Sequence, residues 1–363
     1  LPALFHDIGP STARIRCDFY RLIGDTCRDA FFRPIADWCS KHGVELRTQP
    51  LAEESLVAQT AFNGSVFSYL ESAHVPSGDL LSFTVEMFKT RDQCLPAGKL
   101  VSSAAHIMGR AQCISDFLDY YEQVAGRNTT VDQARAIIGW LMVQGVTNLI
   151  SLCDWRRRSV DDWQHLNAYA GRLSTALTGG THVADIAVLY PIATVWSHYI
   201  PSSRFMMLPP IGSPHRPKIW SESYAPEASL WEAPFRELIW CLLEHQRDLD
   251  IIDDDSLKGA DVNDGQLCVA DERFKALIIP PMDVIDQRSL EQARRFAEEG
   301  GLVIGFHPLP CRIAQQDEEQ TARNAVTSLF GETKPLAGRY TTRKHGQGTA
   351  VVAADHNGLL KGL

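Results

Sequence analysis

Short apolar or alternating segments recur along the chain, each followed by ten or more residues with helical periodicity. That rhythm excludes hairpin connections and demands parallel strands joined by right-handed crossovers. In the first half, the spacing predicts a helix over residues 17–42 closed by Gly43, then a strand at 44–50. A helix over 55–71 and a strand at 78–83 follow, then a helix at 100–108 and a strand at 111–116. The last unit in this half runs from a helix at 131–144 to a strand at 147–152, with a helix at 165–177 ending at Gly179-Gly180.

A second rhythm begins at Ile186-Ala187-Val188-Leu189-Tyr190-Pro191, an apolar run suited to a strand buried on both faces. It is interrupted by a Pro-rich stretch at 201–217. A helix over 234–245, strands at 249–252 and 275–280, a helix over 289–299 and a strand at 302–306 then complete a doubly wound α/β pattern. The tail from Gly331, rich in Gly, Lys and Thr, is expected to open a truncated β region.

With 45% hydrophobic residues over 363 positions, the chain can bury the cores of two ordinary domains. A net charge of -9, without a basic block, argues against nucleic acid as a partner. No apolar stretch approaches the roughly 20 residues needed to cross a bilayer, so no membrane is expected either. The N-terminus Leu1-Pro2-Ala3-Leu4-Phe5 lacks the features of a signal peptide. Nine singly spaced cysteines carry no zinc pattern and are expected to be mostly buried, reduced thiols. Sequons at Asn63 and Asn128 point the other way, toward secretion, so compartment stays open. The chain opens without an initiator Met in what reads as a loop, and a fragment or clipped gene model is expected.

Several ordered strings carry a resemblance. They are Phe32-Arg33-Pro34-Ile35-Ala36-Asp37-Trp38-Cys39 with His42-Gly43, Glu53-Glu54-Ser55-Leu56, and Ser102-Ser103-Ala104-Ala105-His106 with Gly109. To these is added the run from His182 to Pro191. Together they resemble glycoside hydrolase family 106, the α-L-rhamnosidase-like enzymes, and related glycosidases. The resemblance implies an α/β chain in which residues 1–180 are the C-terminal half of a (β/α)8 TIM-type barrel, strands five to eight. Residues 181–330 would then be a flavodoxin-like domain and 331–363 the start of the truncated β region. It further implies a carbohydrate substrate and no cofactor or metal. The open half-barrel leaves room for a homo-oligomer, in which the sheet closes against a partner chain.

Barrel enzymes carry their chemistry at the C-terminal ends of strands, and glycoside hydrolysis usually takes two carboxyl groups. The positions at such ends are Glu53 and Glu54 after the fifth strand, Asp116 at the end of the seventh, and Asp154-Trp155-Arg156 after the eighth. Glu53 and Glu54 match the paired carboxylates that the resemblance implies; the structural alternative is capping of the helix that follows. Asp116 stands where the resemblance implies a Glu acting as nucleophile or general base, with a loop-holding strand-end Asp as the alternative. Asp154, Trp155 and Arg156 are expected to grip a sugar, or else to form an exposed basic loop. His106 is a substrate-binding candidate, with a packed, hydrogen-bonded histidine as its alternative. Gln49-Pro50 departs from the Gly-His that related sequences tend to show. Asp253-Asp254-Asp255 resembles a metal-binding run but, at a strand end in the second domain, is expected to be a solvated acidic loop. Two functions follow: hydrolysis of a terminal glycosidic bond, an α-L-rhamnoside among the options, by a carboxylate pair, or a non-catalytic carbohydrate-binding or scaffold remnant.

Overall fold

Parallel pairing governs both halves of the chain. In the computed structural model, which describes residues 1–49, 53–78, 95–117, 129–151, 155–201, 225–331 and 335–363, β1 (Ser77–Gly78), β2 (Ile114–Phe117) and β3 (Asn148–Ser151) form a sheet in that order. Every neighbour is parallel. A parallel bridge between Arg47 and Val75 extends the sheet on the β1 side. The four expected strands therefore lie side by side and parallel, although 50, 79–83 and 152 fall outside the described residues. Of the described residues 44–49, Arg47 is the one in a β-bridge.

The long helix expected at 17–42 begins earlier, as α1 (Thr12–Cys27), and continues through a π-helical turn (Arg28–Phe32) into α2 (Arg33–Lys41). The helix expected at 55–71 is broken into α3 (Leu56–Asn63) and α4 (Val66–Leu70). Gly64 is the cause. Its φ of +75° is a conformation that side chains rarely adopt, and an added Cβ would lie 2.5 Å from the Tyr20 carbonyl oxygen of α1. Gly64→Ala is expected to destabilise the protein by about 2–4 kcal/mol, through strain plus a clash with backbone that cannot rotate away. A urea-unfolding midpoint unchanged from the parent would refute this. Next come α5 (Ala97–Ile107) and the helices Val131–Val143 and Val160–Leu177, both opened by capping boxes, Thr130 with Gln133 and Ser159 with Asp162.

The second sheet has six strands. Their order is β13 (Tyr340–His345), β14 (Gly348–Ala353), β11 (Leu302–Phe306), β9 (Ala276–Ile279), β4 (Ile186–Leu189) and β5 (Leu249–Ile252). All contacts are parallel except that of β13 with β14. The strands expected at 186–190, 275–279 and 302–306 are adjacent and parallel, as their two-sided apolar character requires. Taken in chain order, the parallel strands run 2-1-3-4-5. The helix Gln287–Glu298 follows the expected bounds, but the helix expected from residue 234 starts at Pro226 and carries Pro234 inside it.

The tail corrects the sequence reading. It opens no separate β region but completes this sheet, because Thr349-Ala350-Val351-Val352-Ala353 is a buried apolar strand beside β11. The Lys- and Thr-bearing β13 takes the exposed edge, where charge discourages further pairing. A small antiparallel sheet, β6 (Asp261–Asn263), β7 (Gln266–Val269) and β8 (Glu272–Phe274), precedes β9 without a clear signal in the sequence. Two further short segments, β10 (Val284–Ile285) and β12 (Arg312–Ile313), pair in parallel.

The break near residue 180 separates two sheets but not two cores. One apolar cluster joins Leu4, Tyr20, Phe67 and Leu100 to Ile186, Phe235, Ile278 and Phe306. A smaller one, with Val101, Phe117, Ile137 and Leu166, lies between the first sheet and its own helices. Among the described cysteines, all free, Cys17, Cys39 and Cys113 are buried while Cys27, Cys241, Cys268 and Cys311 are half-buried. Fewer are sealed than composition suggested.

Candidate functional site

The first sheet determines which side chains can meet. Ser77 pairs with Ile114 and Gly78 with Ser115, so strand alternation puts Ser77, Ile114 and Asp116 on one face and Gly78, Ser115 and Phe117 on the other. Phe117 packs with Val101 and Ile137, which makes its face the one covered by helices. Asp116 thus points to the opposite face at the C-terminal end of β2.

There it is held on both oxygens. The Arg47 guanidinium donates to Oδ1, and Gln49 Nε2 donates to Oδ2 at 2.6 Å. Arg47 Nε also donates to the Ser77 hydroxyl at 3.1 Å. Asp116 has no exposed surface. Burial raises its carboxyl above the usual range, and the charge and hydrogen bond of Arg47 oppose that rise. Gln49 is the residue that occupies the second oxygen.

Glu53 does not join Asp116. An added Cβ on Gly78 would lie 2.8 Å from Val101 and 3.1 Å from Glu53 Oε1, so the Glu53 carboxylate sits on the helix-covered face, fully buried. Only a glycine leaves it that space. Its main-chain carbonyl accepts from Gln59 Nε2 at 2.7 Å, and its charge adds to burial in raising the Tyr69 hydroxyl well above its ordinary pKa. Glu54 is half-buried, and its carbonyl accepts the Leu95 N–H. The N-terminus of α3 is capped by Ser55 and, from the helix Pro226–Glu244, by Glu232, whose carboxylate accepts from the Ser55 hydroxyl and the Val57 N–H at 2.9 Å each.

Of the group after β3, Asp154 lies outside the described residues. Trp155 opens a 3-10 turn, Trp155–Arg157, on which Arg156 is exposed. His106 lies elsewhere. It sits in the last turn of α5, and a helix that leads back to the start of the next parallel strand ends at the sheet's opposite rim. There its Nδ1 meets Asp250 of β5 at 3.0 Å, and its ring stacks on His182.

The acidic run is not a solvated loop. Asp253 is buried and caps the short helix Asp254–Lys258 by accepting from the Ser256 N–H, and Asp254 accepts from the Ser289 hydroxyl at 2.5 Å. Only Asp255 is exposed, bridged to Lys258 at 3.1 Å. Sequence reading also missed Arg47. A lone Arg in an alternating segment gives no sign of the carboxylate it will meet.

No protein-family model and no curated protein sequence matches the chain. Solved structures do. A rhamnosidase from Novosphingobium sp. PP1Y aligns with 97% of this chain at a TM-score of 0.65 and 14% identity, over 31% of its own length. A family 42 β-galactosidase from G. stearothermophilus aligns with 96% of the chain at 0.62 and 12% identity, over 57% of its length. The cold-adapted β-galactosidase of Rahnella sp. R3 aligns with 98% at 0.62 and 11% identity, over 59% of its length. The chain is thus similar in fold to parts of these glycosidases and spans less than two thirds of each.

Proposed function

We propose that this chain is the C-terminal part of a glycoside hydrolase: strands five to eight of a (β/α)8 barrel in residues 1–180, followed by a flavodoxin-like domain. One observation carries the reading. The alignments with glycosidases run through both sheets together, over nearly the whole chain, rather than over one common α/β module. The 2-1-3-4-5 strand order supports the flavodoxin-like assignment. A carbohydrate is the substrate on this reading, with an α-L-rhamnoside as the first candidate sugar.

In this proposal Asp116 is the carboxylate that faces the sugar bond, as nucleophile or general base. Arg47 and Gln49 fix its direction, and Arg47 opposes the rise in its pKa that burial causes. Its partner is Glu54 or a carboxylate of the barrel's preceding half, because Glu53 is sealed on the helix side. Asp154, Trp155 and Arg156 are the sugar-gripping residues on this reading.

One feature favours a second reading. Both Asp116 oxygens are occupied by Arg47 and Gln49, as expected of a barrel that binds carbohydrate without cleaving it. The discriminating experiment incubates the full-length protein with nitrophenyl glycosides, α-L-rhamnoside and β-D-galactoside first, and measures binding of the matching oligosaccharides by calorimetry. Release of nitrophenol establishes the hydrolase. Saturable binding without release establishes the non-catalytic protein, and neither result would defeat both readings.

A further inference from the structure

The junction between the two sheets holds a polar cluster that neither reading uses. His106 comes from α5, His182 from the segment before β4, Asp250 from β5 and Glu272 from β8. One potential ligand atom of each lies within 4.8 Å of all the others. Asp250 and Glu272 are buried, and both histidines are largely so. We propose that these four residues form a binding site for a divalent transition-metal ion of the zinc class, which ties α5 to the second sheet.

Spacing is the first support. His182 Nδ1 faces Asp250 Oδ2 and Glu272 Oε2 at 3.3 Å each. One ring nitrogen carries a single hydrogen and cannot serve two carboxylates well, and 3.3 Å is long for a charged hydrogen bond. With metal–ligand bonds of about 2.0–2.1 Å, however, the edges of a tetrahedron are about 3.3 Å. His106 Nδ1 lies 3.0 Å from Asp250 Oδ1, and because its ring stacks on that of His182, one of the two rings must turn about its Cβ–Cγ bond to aim its lone pair at a shared ion. Two imidazole nitrogens and two carboxylate oxygens make a donor set suited to zinc rather than to calcium or magnesium.

The surroundings are the second support. His182 Nε2 lies 3.1 Å from Asp248 Oδ2, the outer carboxylate contact that orients a metal-bound imidazole. Asp248 is in turn anchored by Lys99, fully buried, at 2.8 Å; Lys99 Nζ is 3.9 Å from Asp250. Three carboxylates, Asp248, Asp250 and Glu272, surround His182 with Lys99 as the ammonium beside them. A cavity of about 670 Å³ bordered by His106, His182, Asp248 and Glu272 gives the ion a path from solvent.

The test uses the full chain, stripped with a chelator and titrated with zinc chloride by calorimetry and with cobalt chloride by visible absorption. One zinc equivalent per chain is expected, with the strong visible bands of tetrahedral cobalt(II). His182→Ala and Glu272→Gln are each expected to weaken zinc binding by about a hundredfold. The cobalt spectrum of the unaltered protein needs no variant to fold. Absence of tetrahedral cobalt bands, or zinc affinity equal in the parent and in folded variants, would overturn the site and leave an ion-pair network only.

Discussion

Replacing Asp116 by Asn is expected to lower kcat for an aryl glycoside by about a thousandfold in the full-length protein, within the range for loss of a positioned acid or base. The amide keeps the shape and can still contact Gln49, but it cannot act as base or nucleophile. Asp116→Glu is expected to retain or raise activity. Glutamate is the residue that the family resemblance implies here, and a reach longer by one methylene matters when about 1 Å of misplacement costs about a hundredfold. Arg47→Met supplies a second readout. Without the guanidinium, burial acts unopposed on Asp116, so the limb of the pH profile that reports ionisation of the base should move to higher pH. An Asn variant as active as the parent would remove Asp116 from the reaction, and an unmoved limb would remove Arg47 from its control.

Thermal stability is expected to rise as pH falls from 8 to about 5, by several degrees in Tm. Two carboxyls at the junction of α1, α4 and the second sheet contribute to it. Asp254 is raised to about 7, first by burial and then by the charge of Asp286; Glu71 is raised to about 7 by burial and by the charge of Asp253. Arg28 faces Glu71 and Arg21 faces Asp254, and both oppose these rises without cancelling them. A carboxyl whose folded pKa lies above its unfolded value holds a proton that the unfolded chain would release. Its contribution is full below about pH 4 and is lost as pH rises through 7. Asp286, Asp283 and Asp248 work in the opposite sense, since their lowered values cost stability only as pH drops below the ordinary carboxylate range. The maximum should therefore lie on the mildly acidic side. Asp254→Asn is expected to flatten the rise, and a curve identical to the parent's would exclude Asp254 as a source. Each tenfold gain in proton affinity on folding is worth about 1.4 kcal/mol at most, and solvent screening of these half-buried groups reduces it.

What the sequence by itself determined is which segments pair and in what sense. Runs such as Ile186-Ala187-Val188-Leu189 and Leu302-Val303-Ile304-Gly305-Phe306 can be stable only where both faces are covered, and helical spacers of ten or more residues leave parallel pairing as the accessible connection. Local patterns could not reveal partners distant in the chain. Nothing near Asp116 indicates that Arg47 and Gln49 occupy its oxygens, and nothing near Glu53 indicates that Gly78 opens a space for it behind the sheet. The adjacent Asp253-Asp254-Asp255 gave no hint that Asp253 would be buried as a helix cap and Asp254 half-buried against a serine of another helix. The Gly- and Lys-rich tail hid a buried strand, because composition averages over β13 and β14, which face opposite environments. His106 shows the division most clearly. Local periodicity places it on a helix; only tertiary packing brings it to His182, Asp250 and Glu272, because electrostatic contacts depend on distance in space and those four residues are far apart along the chain.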